Sequence, residues 1–406
     1  MSVYSFDIHF KNNKSELCEI GKKWDTDKSS QLEGSDRKHS HPYTLFYNLL
    51  FESRRYDTLN VAEIGILDGG SLLMWDEYFP NSKIYGFEYY DFLIENFKSY
   101  YQRDRVILSQ MDVTNKESII SSFQQVNQQY DIIIEDSTHA FEDQIRFVEN
   151  VHTFLKPGGV LLVEDIFKHW KEQDYINRLQ PVLHHFQSYY FVSMDHNKRY
   201  SGNWNNDKIL VFVKRGEPIF KQQNKVTIIT PCLHPENLIK IRKSIRFDLI
   251  QQWIIVYDGN RVDENPNLFE YDINRDTIKE HITKGDGDFG NSLRNHALEC
   301  IQDQDTYVYF LDDDTIIHPD FYQLLPILDK NKIYTFNEQN RLVGNEITPF
   351  RIETPMCLMH YSLCKNIKWG SQDMTGGNYI TECYDKNNEN WIFVNNNLCY
   401  YGALKK

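Results

Sequence analysis

The sequence lacks the features that mark membrane, secreted disulfide-rich and nucleic-acid-binding proteins. No run of 18 apolar residues could span a bilayer, and the first residues, MSVYSFDIHFKNNK, lack the apolar core of a signal peptide. Its seven cysteines are scattered, odd in number and never spaced C-x-x-C, which predicts reduced thiols and gives no zinc motif. Lys and Arg form no dense cluster, and the formal net charge of −14 argues against nucleic acid or an anionic membrane as main partner. We therefore expect a soluble cytoplasmic protein.

The length and the order of apolar segments predict two domains. A chain of 406 residues is long for one domain. Alternation of strand and helix patterns begins near residue 60 and restarts at residue 225, after the polar segment RGEPIFKQQN. We predict two different α/β domains, at residues 1–216 and 222–406, with the boundary near 215–224.

Each domain is predicted to contain a mostly parallel sheet covered by helices, because strands alternate with helical stretches. The first sheet should have seven strands, preceded by helices within residues 14–57 and closed by a hairpin. Its predicted strands are residues 60–65, 83–88, 105–110, 130–135, 159–164, 189–194 and 208–214. In the second domain, strands are predicted at residues 225–231, 252–259 and 306–314, with helices from about 235 and near 290–302.

The segment VAEIGILDGGS (61–71) has the order strand, turn, helix. Glu63, Gly65 and Gly69 belong to an E-x-G-x-x-x-G-G pattern, and Ser71 begins the helix. Glycines at this place let the backbone turn tightly and approach a ligand at a helix N-terminus. A dinucleotide fingerprint is excluded because it needs glycine where Leu67 stands. An ordinary turn would also explain the glycines alone.

Two further acids strengthen the prediction of a nucleoside site. Glu88 ends the second strand, where a carboxylate can bind a ribose diol, and Asp112 follows the third, near a possible adenine position. Ligands of doubly wound sheets bind at the carboxyl ends of the strands. Acids after strands one, two and three are the layout of S-adenosylmethionine (SAM) methyltransferases, which this region resembles.

The stretch IIIEDSTHAF places Asp136 at the end of the fourth strand, and Glu164 and Asp165 end the fifth. Since these strands are neighbours in such a fold, three carboxylates should converge beside the cofactor. Oxygen ligands without a thiolate favour Mg²⁺ or Mn²⁺. His139 is then placed to accept a proton. The alternatives are a helix cap for Asp136 and ordinary hydrogen bonding for His139.

Four segments together resemble the macrocin- and mycinamicin-type sugar O-methyltransferases, over about residues 22–213. They are TDKSS…HSHPYTLFY, GGSLLMWDEYFPNSKIYGFE, IIEDSTHAFEDQ and LKPGGVLLVED. The resemblance implies SAM as cofactor, Asp136, Glu164 and Asp165 as Mg²⁺ ligands, and His139 as the base.

The second domain, over about residues 225–406, resembles family 2 GT-A glycosyltransferases. KVTIITPCLHPENLIKIRKSI is similar to their opening strand and helix, and Asp258 stands where they contact the nucleotide. The resemblance also implies that Arg294 and Asn295 begin a helix near the diphosphate.

An acidic run is the strongest feature of this domain. In FLDDDTIIHPDFY an apolar strand ends in Asp312, Asp313 and Asp314. Because adjacent carboxylates repel, we expect a nucleotide diphosphate with Mn²⁺ or Mg²⁺, held by Asp312 and Asp314, with Asp313 toward the nucleotide sugar. A solvated acidic turn is the alternative. Asp373 or Glu382 would be the base, with Asp373 favoured by its place in a loop before glycines.

These patterns predict a bifunctional enzyme of glycan assembly, which uses a nucleotide-diphosphate sugar, a glycan acceptor and SAM. The first alternative is a single-activity enzyme whose other domain is a degenerate binding module. The second is a non-catalytic carbohydrate-binding protein. The third, a 2-oxoglutarate iron hydroxylase, lacks its expected H-x-D…H triad.

Overall fold

The computed structural model describes residues 4–11, 14–31, 38–194, 199, 201, 203–216, 224–262, 266–287, 289–339, 341–371, 373–374, 376–387 and 390–404. Its contacts divide the chain into two units, Met1–Asp7 with Asn13–Lys221 and Ile8–Asn12 with Gln222–Lys406. Most of the predicted linker, residues 217–223, lies outside the described residues. Among the helices that are described, none is long and apolar enough to cross a membrane.

The first unit alternates strands and helices from residue 60 onward. Its helices are α1 (Glu16–Lys23), α2 (Tyr43–Phe51), α3 (Gly70–Tyr78), α4 (Asp91–Tyr100), α5 (Lys116–Val126), α6 (Phe141–Val151) and α7 (Glu172–Leu183). After β1 (Ser5–Phe10), its strands are β2 (Asn60–Ile64), β3 (Lys83–Glu88), β4 (Val106–Gln110), β5 (Tyr130–Glu135), β6 (Leu155–Val163), β7 (Phe186–Met194) and β8 (Lys208–Lys214).

Strands β2 to β8 form a sheet in the order β4-β3-β2-β5-β6-β8-β7. The pairs from β4 to β6 are parallel, and β8 is antiparallel to both β6 and β7. The predicted seven-stranded, mostly parallel sheet with an antiparallel last pair is therefore confirmed. The strand order reverses between β2 and β5, the place where doubly wound sheets open a crevice for ligands.

Burial explains why the central strands form. Every residue of β5, YDIIIE, is buried, as expected for a parallel strand covered by helices on both faces. Ile133, Leu161, Phe123 and Phe147 belong to one apolar cluster that joins the sheet to its helices. This core fixes the strand ends, and with them the polar residues that follow.

The second unit is also α/β, with a mixed sheet. Its strands are β9 (Val226–Cys232), β10 (Gln252–Asp258), β11 (Ile278–Thr283), β12 (Tyr307–Phe310), β13 (Ile316–Ile317), β14 (Ile333–Glu338), β15 (Cys357–His360) and β16 (Trp391–Tyr400). Its α-helices are α8 (Leu238–Arg242), α9 (Asn291–Glu299), α10 (Tyr361–Cys364) and α11 (Gly377–Lys386).

The strand order in this unit is β11-β10-β9-β12-β15-β14-β16, and Ile8–Phe10 of β1 pairs antiparallel with β16. Strands β11, β10, β9 and β12 are parallel neighbours, so their carboxyl ends lie at one edge. Strand β12 ends at Phe310, earlier than predicted, and a turn follows in which the Thr315 N–H donates to the Asp312 carbonyl oxygen at 3.0 Å. Strands β11, β14, β15 and β16 were not predicted from the sequence.

Candidate functional site

A cavity of about 520 Å³ opens at the carboxyl ends of the parallel strands in the first unit. It lies beside the switch point between β2 and β5, where a ligand is expected. The sequence-predicted residues that line it are Gly65, Ser71, Glu88, Asp112, Asp136, His139, Glu164 and Asp165. Two predicted residues, Glu63 and Gly69, are not part of this lining.

The glycines after β2 are required by close packing. Gly65 has φ of 87°, and a Cβ there would lie 2.1 Å from the carbonyl oxygen of Asp136. Gly69 has φ of 83°, and a Cβ there would lie 2.2 Å from the Phe97 ring. Both positions combine a left-handed backbone with a close neighbour, which only glycine tolerates. Gly65 thereby brings the loop after β2 against the loop after β5.

The two acids predicted for the nucleoside are held by hydrogen bonds from loop residues. Glu88 accepts hydrogen bonds from the backbone N–H of Ile66 at 3.0 Å and of Tyr89 at 2.9 Å. Asp112 accepts hydrogen bonds from the backbone N–H of Thr114 at 2.9 Å and from its hydroxyl at 2.7 Å. These bonds fix both carboxylates at the cavity wall.

Asp136, His139 and Asp165 bring their ligand atoms within 4.8 Å of one another. His139 Nε2 lies 3.5 Å from Asp165 Oδ2, and its Nδ1 lies 3.9 Å from Asp136 Oδ1. Two carboxylates without a thiolate are the donors that Mg²⁺ prefers. The donor set therefore fits a hard divalent cation, with His139 beside it.

Lys28, to which the sequence analysis gives no role, lies among the acids. Its buried ammonium group donates to Asp136 and to Glu164, and lies 3.3 Å from Glu63 Oε1. The other carboxylate oxygen of Glu164 accepts from the Tyr47 hydroxyl. Glu164 is therefore directed toward Lys28 and Tyr47, and is not part of the Asp136–His139–Asp165 cluster.

The N-terminal segment supplies these additional contacts. Tyr43 and Tyr47 are four residues apart in α2 and so share one helix face. Tyr43 donates its hydroxyl to Asp165 Oδ1 at 2.6 Å, and His41 Nε2 lies 3.4 Å from the same oxygen. The sequence signal for these contacts is the pair of tyrosines at helical spacing after TDKSS. It does not identify their carboxylate partners, which lie more than 100 residues along the chain.

Burial and neighbouring charges shift the pKa values of the cluster in different directions. Burial raises the pKa of Asp136 to about 7, although Lys28 opposes that shift. Burial would also raise the pKa of Asp165, but His41 and His139 outweigh it and lower the pKa. For His139, burial favours a lower pKa, whereas Asp165 and Asp136 raise it above the ordinary value. The cluster thus contains groups that can exchange a proton near neutral pH.

Three residues that line this cavity have a strained backbone. Leu67, His139 and Asp165 have φ of 45°, 57° and 54°, in the left-handed region, and all three line the cavity. Each such non-glycine residue costs about 1–3 kcal/mol, and such residues cluster at functional sites. The strain therefore marks the same place as the acids.

In the second unit, predicted acids are held at the carboxyl edge of the parallel strands. Asp258 accepts from the backbone N–H of Gly285 at 3.0 Å. Asp313 accepts at 2.6 Å from the N–H groups of Leu233 and His234, which follow β9. These bonds tie the ends of neighbouring strands together.

Arg294 and Asp312, two residues predicted for the diphosphate and its cation, are in direct contact. Arg294 Nη2 donates to Asp312 Oδ1 at 2.6 Å, and its guanidinium lies 4.8 Å from the centre of the Trp369 ring. Asp314 Oδ1 accepts from the Thr315 hydroxyl at 3.1 Å. An arginine beside partly exposed acids could bind a phosphate group together with a cation.

Three further predicted residues form hydrogen bonds or ion pairs that support the fold. Asn295 exchanges two hydrogen bonds with the backbone of Trp369, at 2.9 and 3.0 Å. Asp373 accepts from the backbone N–H of Gly376 and Tyr379 at the start of α11. Glu382 is exposed and pairs with Lys386 at 2.5 Å. These contacts support the helix and its neighbours, and the predicted roles of all three remain predictions.

Glu338, at the end of β14, was not singled out from the sequence. Its side chain is buried, and no hydrogen-bond partner is described for its Oε1. Burial and the nearby Glu353 raise its pKa to about 8. A buried acid of this kind can exchange a proton near neutral pH.

Comparison with known proteins matches part of the first unit. Residues 62–166 match a family described as a methyltransferase domain. A 143-residue segment is 29% identical to 8-demethyl-8-alpha-L-rhamnosyl tetracenomycin-C 2'-O-methyltransferase of Streptomyces olivaceus, covering 33% of this chain and 35% of that protein. A 163-residue segment is 26% identical to mycinamicin VI 2''-O-methyltransferase of Micromonospora griseorubida, covering 38% and 37%.

The matched segments thus span about a third of these relatives. The solved MycE methyltransferase in complex with Mg, SAH and mycinamycin VI gives a TM-score of 0.38 at 21% identity, over 50% of this chain and 55% of that chain. Over residues 62–166 the first unit is thus similar to a methyltransferase domain, and it resembles the mycinamicin and tetracenomycin O-methyltransferases.

Proposed function

We propose that the first domain, residues 1–216, transfers a methyl group from SAM to a sugar hydroxyl with the help of Mg²⁺. The observation that carries this proposal is one cavity lined both by Glu88 and Asp112 and by the cluster of Asp136, His139 and Asp165. The names of the relatives describe O-methylation of a rhamnosyl tetracenomycin and of mycinamicin VI. A nucleoside cofactor and a hydroxyl substrate would therefore meet in the same cavity.

Each part of the chemistry has candidate residues. Glu88 and Asp112 would bind the nucleoside, while Asp136 and Asp165, together with Glu164 if it leaves its present partners, would hold the cation. When bound, SAM supplies the methyl group and the cation lowers the pKa of a hydroxyl that it contacts. His139 would accept the hydroxyl proton at a ring nitrogen as the methyl group is transferred.

The test uses the full-length protein with labelled SAM. Calorimetry should detect SAM binding, and a panel of free sugars, glycosides and nucleotide sugars should contain a methyl acceptor. Transfer should need Mg²⁺ and stop in EDTA. Absence of SAM binding would overturn the proposal. Full methyl transfer in EDTA would show that the reaction needs no divalent cation.

We further propose that the second domain, residues 222–406, is a glycosyltransferase that uses a nucleotide-diphosphate sugar. The contact between Arg294 and Asp312, beside the edge that holds Asp258 and Asp313, supports this second function. Asp312 and Asp314 would hold Mn²⁺ or Mg²⁺, and Arg294 would contact the diphosphate. The cation would stabilise the departing nucleotide.

Titration of the full chain with nucleoside diphosphates tests this function separately. Binding should require a divalent cation and be lost in Asp312→Asn, whereas Asp320→Asn, in the following 3₁₀ helix (Pro319–Ile327), should bind normally. Cation-independent binding, or unchanged binding in Asp312→Asn, would overturn the assignment. If only one domain proves active, the chain is a single-activity enzyme with a binding module.

A further inference from the structure

A second cluster of side chains that can bind a metal ion lies in the second unit. Its ligand types differ from the carboxylates of the acidic turn in the same unit. His281, His296 and Cys300 bring one ligand atom each to within 4.8 Å of one another. His281 is on the edge strand β11, and the other two are on α9 or directly after it. Neither the predicted sites nor the proposed functions use these residues.

The fold explains why these side chains meet. His281 pairs in parallel register with Val256, so both side chains leave the sheet on the same face. Val256 belongs to the apolar cluster with Leu293 and Ala297 of α9, which places the helix on that face. His281 therefore extends from the edge strand toward α9.

On the helix, His296 and Cys300 are four residues apart and so lie one above the other. Cys300 Sγ lies 3.9 Å from His281 Nδ1, and the two imidazole rings have centroids 5.8 Å apart. All three residues are partly exposed, so an ion can reach them from solvent.

We propose that His281, His296 and Cys300 form a binding site for a borderline-soft divalent metal ion, for which Zn²⁺ is the best fit. Two imidazoles and a thiolate suit Zn²⁺ and do not suit Mg²⁺. Three protein ligands leave one tetrahedral position for water. The spacing H-x14-H-x3-C is not that of a zinc motif, which explains why the sequence analysis found none.

Cobalt substitution tests the thiolate directly. The metal-free full chain, kept reduced, is titrated with Co²⁺ and followed by absorption spectroscopy. We expect a thiolate-to-cobalt charge-transfer band and tetrahedral d–d bands, saturating at one equivalent and abolished by Zn²⁺ competition. The acidic cluster of the first unit contains no cysteine, so it cannot give the charge-transfer band. Absence of this band would overturn the proposal.

Two variants define the ligands. Cys300→Ser and His296→Ala should each lower Zn²⁺ affinity by about 100-fold, measured by competition with a chromophoric chelator. His184→Ala, an exposed histidine of the first unit, is the matched control and should bind normally. Affinities of both ligand variants within threefold of the wild type would contradict the assignment.

A measurement on the unmodified protein covers the case in which a variant does not fold. Cys300 is partly exposed, whereas the other six cysteines are buried, so native alkylation reports mainly on Cys300. Zn²⁺ should slow this alkylation at least tenfold, and Mg²⁺ should have no effect. Equal alkylation rates with and without Zn²⁺ would show that the thiolate is not a ligand.

Discussion

In the first unit, Asp136 and Glu164 share the ammonium group of Lys28, whereas in the second unit Asp258 and Asp313 accept hydrogen bonds from backbone N–H groups. Both arrangements lie at the carboxyl ends of parallel strands. They differ in what compensates the carboxylates: a side-chain cation from a remote segment in one case, and the neighbouring loops themselves in the other.

The difference shows where an added cation is needed. Around Lys28, the buried acids Glu63, Glu164 and Asp165, together with Asp136, outnumber the one lysine. Buried charges without enough compensation are costly, so a bound divalent cation would stabilise this cluster. Backbone N–H groups already satisfy Asp258 and Asp313, which therefore act as loop anchors whether or not a cation is present.

The largest expected effect concerns the candidate cation ligands of the first unit. Asp165→Asn or Asp136→Asn should lower kcat/KM for methyl transfer by about 10⁴-fold, because the cation's stabilisation of developing charge amounts to several kcal/mol. SAM affinity by calorimetry should stay within threefold, since Glu88 and Asp112 are untouched. Glu142→Gln, which removes an exposed pair with Arg178, is the control. Transfer at wild-type rate in both variants would contradict the cation site.

Removing the buried lysine tests the charge argument itself. Lys28→Met should lower the free energy of unfolding by about 3–5 kcal/mol at pH 8, because it leaves buried carboxylates without their partner. The loss should shrink toward pH 5, where those carboxylates can take up protons. Saturating Mg²⁺ should also reduce it, since binding to the folded state stabilises that state.

Lys23→Met is the matched control for this experiment. Lys23 forms an ion pair with Glu77 at 2.6 Å, but the lysine side chain is 57% exposed. Exposed pairs contribute about 0–1 kcal/mol, so urea unfolding should barely change. Equal losses in the two variants would mean that Lys28 does not compensate the acidic cluster.

His139 should give the next largest effect. His139→Ala should slow methyl transfer by about 10²-fold while Mg²⁺ affinity stays within threefold, as expected for a base rather than a ligand. Burial would lower the pKa of His139, but Asp165 and Asp136 raise it above the ordinary value. A base must be unprotonated, so the wild-type rate should fall as pH decreases through this raised pKa.

The pH profile and the metal titration distinguish between His139 as a base and His139 as a metal ligand. The variant should lose the acidic limb of the profile and keep a flat residual rate. A tenfold or larger loss of Mg²⁺ affinity would instead make His139 a ligand, and an unchanged acidic limb would exclude it as the base.

The sequence predicted the first sheet well because its strands are apolar runs that end abruptly in polar residues. Strands β3, β5 and β8 have the predicted bounds. In the second unit, β11 (IKEHIT) and β16 (WIFVNNNLCY) were missed because charged residues or three successive asparagines interrupt their apolar pattern. Pairing with neighbouring strands, which no local pattern reports, makes them strands.

The same limit applies to the sites. Acids that follow strands could be found because strand ends of one parallel sheet share an edge. Lys28 could not be assigned, because its partner Asp136 lies 108 residues along the chain. His281 and Cys300 are likewise separated by a loop and by the whole of helix α9. Sequence thus indicated which strand ends are acidic, but tertiary packing decides what compensates the charge.

The smallest effect is expected at Glu338, a buried acid of the second unit. It tests whether this unit stabilises the protonated form of that acid. Burial and Glu353 raise its pKa to about 8, although Arg341 opposes the shift. A raised folded-state pKa means that the folded protein binds the proton more tightly than the unfolded chain. The stabilisation is therefore complete below pH 4.5 and is lost progressively as pH rises toward 8.

Glu338→Gln replaces the protonated acid with a neutral amide that cannot ionise. The variant should match the wild type near pH 4.5 and exceed its stability by about 1–3 kcal/mol at pH 8, because the wild type must then either hold a proton or bury a charge. Glu382→Gln, at an exposed pair with Lys386, should change stability by less than about 1 kcal/mol at both pH values. If the two variants gave the same pH dependence, Glu338 would be an ordinary ionised glutamate.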